Sequence, residues 1–175
     1  MSADSIVRTP INLRFQSVLA IDPGINGTGY ALWEKQPKGK TLRPVPSEVG
    51  VLRKRFDSYV TTANWIADQL EGYGTANLIV TCEFPEFQTS ASRSMGWMRG
   101  DLQKLTYLVG VLGRTFRGGS FEPVPVSQWK GQLPKDVVTR RIVQELGTAD
   151  CERLGIKTHA WDAVGIGLWR LGVFE

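Results

Sequence analysis

The sequence is poor in the residues that build most protein metal clusters and disulfide frameworks: its 175 residues include two cysteines and one histidine. Cys82 and Cys151 form no metal-ligand spacing, and both read as free thiols of a reducing, cytoplasmic compartment. No apolar run approaches the roughly 20 residues that span a bilayer, so no membrane is expected as a partner. The N-terminus lacks a basic region followed by a long apolar stretch, so no signal peptide is expected either. Internal repeats and low-complexity tracts are also missing, which excludes solenoids and linker-like chains. What remains is an ordinary globular composition, 42% hydrophobic and 22% charged. A chain of this length favours one domain with a sizeable core. Residues 1–14 read as a polar lead-in and 15–175 as that domain. The net charge of +4 admits a nucleic-acid partner without requiring one.

The first informative stretch is SVLAIDPGINGTGYALW at 17–33. An apolar run at 17–22 predicts a buried strand, DPGING a tight turn, and 27–34 a second strand. Residues 35–46, rich in proline, glycine and lysine, read as an exposed loop, and 47–54 as a third strand. Two hairpin connections give an antiparallel start. The spacing then changes to that of a helix over 57–71, stopped by Gly72 and Gly74. A fourth strand follows at 77–82, with Glu83 directly after it, and then a loop at 84–94. A long helix is expected at 95–116. A proline-spaced fifth strand at 121–127 belongs at or near a sheet edge. Helices at 134–146 and 159–172 complete the chain. The whole is α/β: a mixed five-stranded sheet flanked by helices.

Three acids stand out by context. Asp22 ends the first strand and Glu83 the fourth, while Asp162 lies in the otherwise apolar helix THAWDAVGIGLW. A charge in such a helix is costly unless it has a partner or faces water. His159 precedes Asp162 by three residues, so both project from one helical face. Strand ends and a helix packed beside them would bring the four groups together as an oxygen-rich cluster with one imidazole. Such a set suits Mg²⁺ or Mn²⁺, and two ions about 3.5–4 Å apart serve phosphodiester cleavage. Each residue also has a plain structural reading: Asp22 as a turn residue, Glu83 as a solvated strand end, His159 as a packed or surface histidine.

The order of these motifs resembles RuvC-type Holliday junction resolvases. IDPGINGTGYALW is similar to that family's opening, TSASRSMGWMRGDLQKLTYLVGVL to its long helix, PVSQWKGQLPKDVVTRRI to its lysine-bearing segment, and HAWDAVGIGLW to its closing motif. The resemblance covers nearly all of residues 17–172. It implies an RNase H-like fold, a homodimer, and cleavage of four-way branched DNA that depends on two Mg²⁺ or Mn²⁺ ions per active site. It also implies that Asp22, Glu83, His159 and Asp162 are the metal and catalytic residues. Asp22 would bridge both ions, with Glu83 and Asp162 each favouring one. His159 stands where many relatives carry aspartate, either as a ligand or as a proton carrier. The loop at 35–46 departs from the family pattern.

Basic residues cluster at Arg53-Lys54-Arg55, at Arg93, Arg99 and Lys104, at Arg114 and Arg117, and at Lys130, Lys135, Arg140 and Arg141. Lys130, in an expected loop after the fifth strand, is placed to neutralise the scissile phosphate. Arg93, Arg99, Lys104 and Lys135 are further candidates for phosphate contact. Phe87 is expected to stack on an unpaired base, and Phe84 to anchor its loop in the core. Met98, Leu102, Leu105, Val109, Leu112 and Phe116 make one apolar stripe on the long helix, and Trp97, Leu108 and Val111 a second. A helix apolar on two sides needs cover on both: one side can pack on the sheet and the other on a partner subunit, the alternative being cover by the chain's other helices. Other readings are a nuclease for flaps or forks, a non-catalytic branched-DNA binding module, and a phosphate-binding loop of the actin and sugar-kinase kind. The last usually needs two such domains.

Overall fold

The computed structural model describes residues 16–35, 44–74, 77–86 and 100–174. Phe87, Arg93 and Arg99, together with Trp97 and Met98, lie outside these residues. The strands are β1 (Ser17–Asp22), β2 (Thr28–Trp33), β3 (Glu48–Leu52), β4 (Leu78–Phe84) and β5 (Ser120–Pro125). The helices are α1 (Tyr59–Glu71), α2 (Asp101–Thr115), the single turn α3 (Val126–Trp129), α4 (Lys135–Leu146), α5 (Thr148–Leu154) and α6 (His159–Arg170). The sheet order is β3-β2-β1-β4-β5. β1 pairs antiparallel with β2, and β2 with β3, while β1–β4 and β4–β5 are parallel. This is the mixed five-stranded sheet that the hairpin start and the later helix–strand alternation predict. β5, with Pro123 and Pro125, is indeed an edge strand.

The period-two alternation of β1 divides the core. Val18 and Ala20 face one layer with Trp33, Trp129 and the apolar side of α6. Leu19 and Ile21 face the other, with α1 and the buried Leu108, Val109 and Leu112 of α2. Tight helix–sheet approach is built into α6. A side chain at Gly167 would lie 2.1 Å from the Trp33 ring, and one at Gly165 would lie 2.7 Å from Trp129. The GIG step of the last helix is therefore a seat for two indoles, and it is why so apolar a helix can lie flat on the sheet.

Several expectations need correction. Glu83 lies inside β4, which runs on to Phe84. Phe84 is 38% exposed instead of anchored in the core: it shares the parity of Val80 and Cys82 but is the last residue of β4, at the end of the layer they pack against. The fifth strand stops at Pro125, and the next four residues form α3, so Lys130 caps a helical turn and does not sit in an open loop. α5 falls in an interval with no assigned element, and it ends on the left-handed Gly155. On α2, the buried residues mix the two expected stripes. Leu102 and Leu105 stay partly exposed, and Tyr107 is exposed beside Tyr59, their rings edge-on at 5.6 Å.

Candidate active site

All five strands contribute to one edge of the sheet. β1, β4 and β5 are parallel and end there, β2 begins there, and β3, antiparallel to β2, ends there. On β1, Asp22 shares the parity of Val18 and Ala20. On β4, Glu83 shares the parity of Ile79 and Thr81, since Leu78, Val80 and Cys82 face the α1–α2 layer. Both carboxylates therefore point toward α6. The register Ile21↔Cys82 puts them one rung further on, on adjacent strands.

The start of α6 is pressed against β2 at this edge. A Cβ at Gly29 would lie 2.2 Å from the carbonyl oxygen of His159. The preceding residue, Thr158, has φ of 39°, an outlying conformation for a β-branched residue. This approach of α6 places the ring nitrogen Nδ1 of His159 2.9 Å from Oδ2 of Asp22. One helical turn along, Asp162 is 8% exposed and Asp22 is 7% exposed. Asp162 accepts from Lys130 Nζ at 3.4 Å and from Lys135 Nζ at 3.1 Å. Glu83 accepts from the Trp129 indole N–H at 2.9 Å.

The electrostatics show the acids sensing one another. Burial pushes the Asp22 carboxyl above the usual range, Asp162 adds to the rise, and the His159 bond opposes it. Burial and the charge of Asp22 push Glu83 up to about 7. The Asp22 hydrogen bond raises His159. Among the described residues, no three of His, Cys, Asp and Glu lie close enough to enclose a metal ion as they stand. Each acid is instead satisfied by a protein partner: Asp22 by His159, Glu83 by Trp129, Asp162 by the two lysines. The donor chemistry nevertheless fits a hard divalent cation. Three carboxylates are crowded at one buried edge, and two of them are held above their ordinary pKa, a strain that a cation would relieve.

Of the expected site residues, the structure thus joins Asp22, Glu83, His159, Asp162, Lys130 and Lys135. Lys104 pairs with Asp101 on its own helix, and among the described residues no ion pair joins it to Asp22, Glu83 or Asp162. Sequence reasoning misses Trp129 as the partner of Glu83. It also misses Glu86, whose carboxylate accepts from the backbone N–H and hydroxyl of Ser127, both at 2.8 Å, and so fixes the start of α3. An acid three residues after Glu83 and an indole beside Lys130 were the available signals.

A testable consequence follows for Glu83. A folded-state carboxyl raised to about 7 binds a proton that the unfolded chain has already lost. Its contribution to stability therefore declines as pH rises from the ordinary carboxylate range through about 7, and the full cost, about 3 kcal/mol, is present above that. Glu83→Gln keeps an acceptor for Trp129 and removes the charge. In chelator, the variant should melt higher than wild type at pH 8 and equally at pH 4.5. An equal shift at both pH values would contradict this account.

No protein-family model and no curated protein sequence matches the chain. Solved structures do. RuvC of Thermus thermophilus, in complex with a Holliday junction substrate, is similar with a TM-score of 0.54 at 15% identity, over 91% of this chain and 98% of that one. A second Thermus thermophilus RuvC structure gives 0.52 at 20% identity, over 91% and 99%. The yeast mitochondrial Holliday junction resolvase Ydc2 gives 0.54 at 13% identity, over 97% and 85%. The fold is the RNase H-like fold of these proteins.

Proposed function

We propose that the chain is a metal-dependent endonuclease that resolves four-way DNA junctions by paired hydrolysis of phosphodiester bonds. The observation that carries this reading is the meeting of Asp22, Glu83 and Asp162 with His159 at one sheet edge, on a fold shared along nearly its full length with proteins solved as junction resolvases. Asp22, Glu83, Asp162 and His159 would hold the Mg²⁺ or Mn²⁺. Bound there, such ions activate water and stabilise the leaving oxygen.

The chain's own residues supply the rest. His159, with Nδ1 2.9 Å from the Asp22 carboxylate, orients that group. Trp129 fixes Glu83 from the side of α3. Lys130 and Lys135 are held by Asp162 within the site, so their ammonium groups are in place to meet a phosphate and offset its charge when Asp162 is otherwise engaged. Phe84, exposed at the end of β4, offers an aromatic face to an unpaired base.

Paired cuts need two sites. The partly exposed Leu102 and Leu105, in the first turns of α2, are the residues we assign to a homodimer contact. Light scattering should give a dimer at micromolar concentration, and a monomer would overturn this part. The function itself is tested with end-labelled four-way junction, flap, fork and linear duplex, each in Mg²⁺, Mn²⁺ or chelator. Symmetric nicks in the junction alone, with either metal, are expected. Faster cleavage of flaps or forks would move the assignment to those substrates, and junction binding without any cleavage would overturn it.

A further inference from the structure

The described cations divide into those paired with an acid and those that are not, and the unpaired ones comprise Lys35, Arg114, Arg117 and Arg141 as well as a cluster beside β3. Lys104, Arg140, Arg153 and Arg170 are each paired with an acid, and Lys130 and Lys135 share Asp162. Arg53, Lys54, Arg55 and Lys157 form no ion pair with any described residue, and they lie together at the β3 side of the acid cluster. Two adjoining grooves meet at Arg53. One, of about 360 Å³, is lined also by Gly155, Lys157 and Thr158. The other, of about 340 Å³, is lined by Asn26, Lys54 and Arg55.

Two of these charges, Arg53 and Lys54, are held in place by contacts that leave them unneutralised. Arg53 donates from Nη2 to Thr158 Oγ1 at 2.8 Å. The Lys54 ammonium lies 5.0 Å from the Phe56 ring centre and 5.5 Å from that of Trp65, and the two rings pack against each other. The group is also continuous with the acid cluster. A Cβ at Gly27 would meet Arg53 Nε at 3.2 Å and His159 Cδ2 at 3.4 Å, so guanidinium stem and imidazole share one glycine floor. Lys130 and Lys135 flank the acids from the α3–α4 side, and the Arg53 group flanks them from β3. A polyanionic strand crossing the acids thus meets fixed positive charge on both sides.

We propose that the Arg53–Lys157 groove binds the phosphodiester backbone of the DNA strand next to the bond that is cut, on the β3 side of Asp22. The identity of the polyanion rests on the junction-nuclease reading. Phosphates bound there would hold the strand in register across the acids and carry no base information.

The test uses the full chain, a fluorescent four-way junction and chelator, with anisotropy measured between 50 and 200 mM KCl. Arg55→Ala/Lys157→Ala removes two exposed side chains of the groove. Arg114→Ala/Arg117→Ala removes the same charge from the opposite sheet edge, where α2 ends and β5 begins. The groove pair should weaken binding about tenfold at low salt and reduce the slope of log K against log salt by about 2, while the opposite-edge pair leaves the slope unchanged. An unchanged slope in the groove pair, or equal loss in both pairs, overturns the proposal. Cleavage of the same junction in Mn²⁺ separates this from the parent reading. Wild-type cleavage with an unchanged groove slope removes the groove and leaves the nuclease. A reduced slope without wild-type cleavage keeps the groove and removes the nuclease.

Discussion

Asp22→Asn is expected to lower junction cleavage by on the order of 10³-fold or more while leaving junction binding in chelator within about twofold of wild type. Asp22 is the acid through which the others are coupled. It holds His159 at 2.9 Å, and its charge raises Glu83. Asparagine has the same shape and still accepts from His159, so the start of α6 keeps its support. What it loses is the anionic oxygen that a divalent cation requires. Removing a buried charge whose pKa burial already raises should not destabilise the metal-free protein. A melting temperature equal to or above wild type, combined with lost cleavage, would place the defect in chemistry. Full cleavage by the variant would remove Asp22 from the catalytic set.

The second large effect belongs to a residue that touches no substrate. Gly29→Ala should destabilise the fold by about 3 kcal/mol or more, because its Cβ would lie 2.2 Å from the His159 carbonyl oxygen and 2.9 Å from the Ala160 nitrogen. Both are backbone atoms at the start of a helix packed on β1 and β2, so no rotamer change relieves the overlap. α6 must move away from the sheet, carrying His159 from Asp22 and shifting Asp162. Thermal melting should report the loss of stability, and cleavage by whatever folded protein remains should fall with it. Gly72→Ala is the control: a Cβ there meets nothing within 4 Å. Equal stability of the Gly29 and Gly72 variants would contradict the close approach.

The sheet is legible in the sequence because its central strands are buried on both faces and read as apolar runs between turn residues. β1 starts and ends where SVLAID does, and the proline spacing of the fifth strand gives away its edge position. The acids are legible for the same reason: Asp22, Glu83 and Asp162 interrupt apolar segments that have no other use for charge. The missing parts are long-range. Nothing local in TGY reveals that Gly29 receives the first turn of α6, since the two are far apart in the chain. Nor does a tryptophan next to Lys130 announce a bond to Glu83. Phe84 is misread because a loop aromatic after a strand is usually packed, whereas here β4 continues and Phe84 is its last residue, at the end of the layer that covers Val80 and Cys82. The short α3 and α5 lack the length over which a period can be recognised.

The most direct test is a crystal grown with Mn²⁺ and measured at the manganese absorption edge. Anomalous peaks are expected in coordination contact with Asp22 and with Glu83, Asp162 or His159, the lysines having released Asp162. If the acids keep His159, Trp129 and the two lysines as their partners and no peak lies between them, the account is wrong.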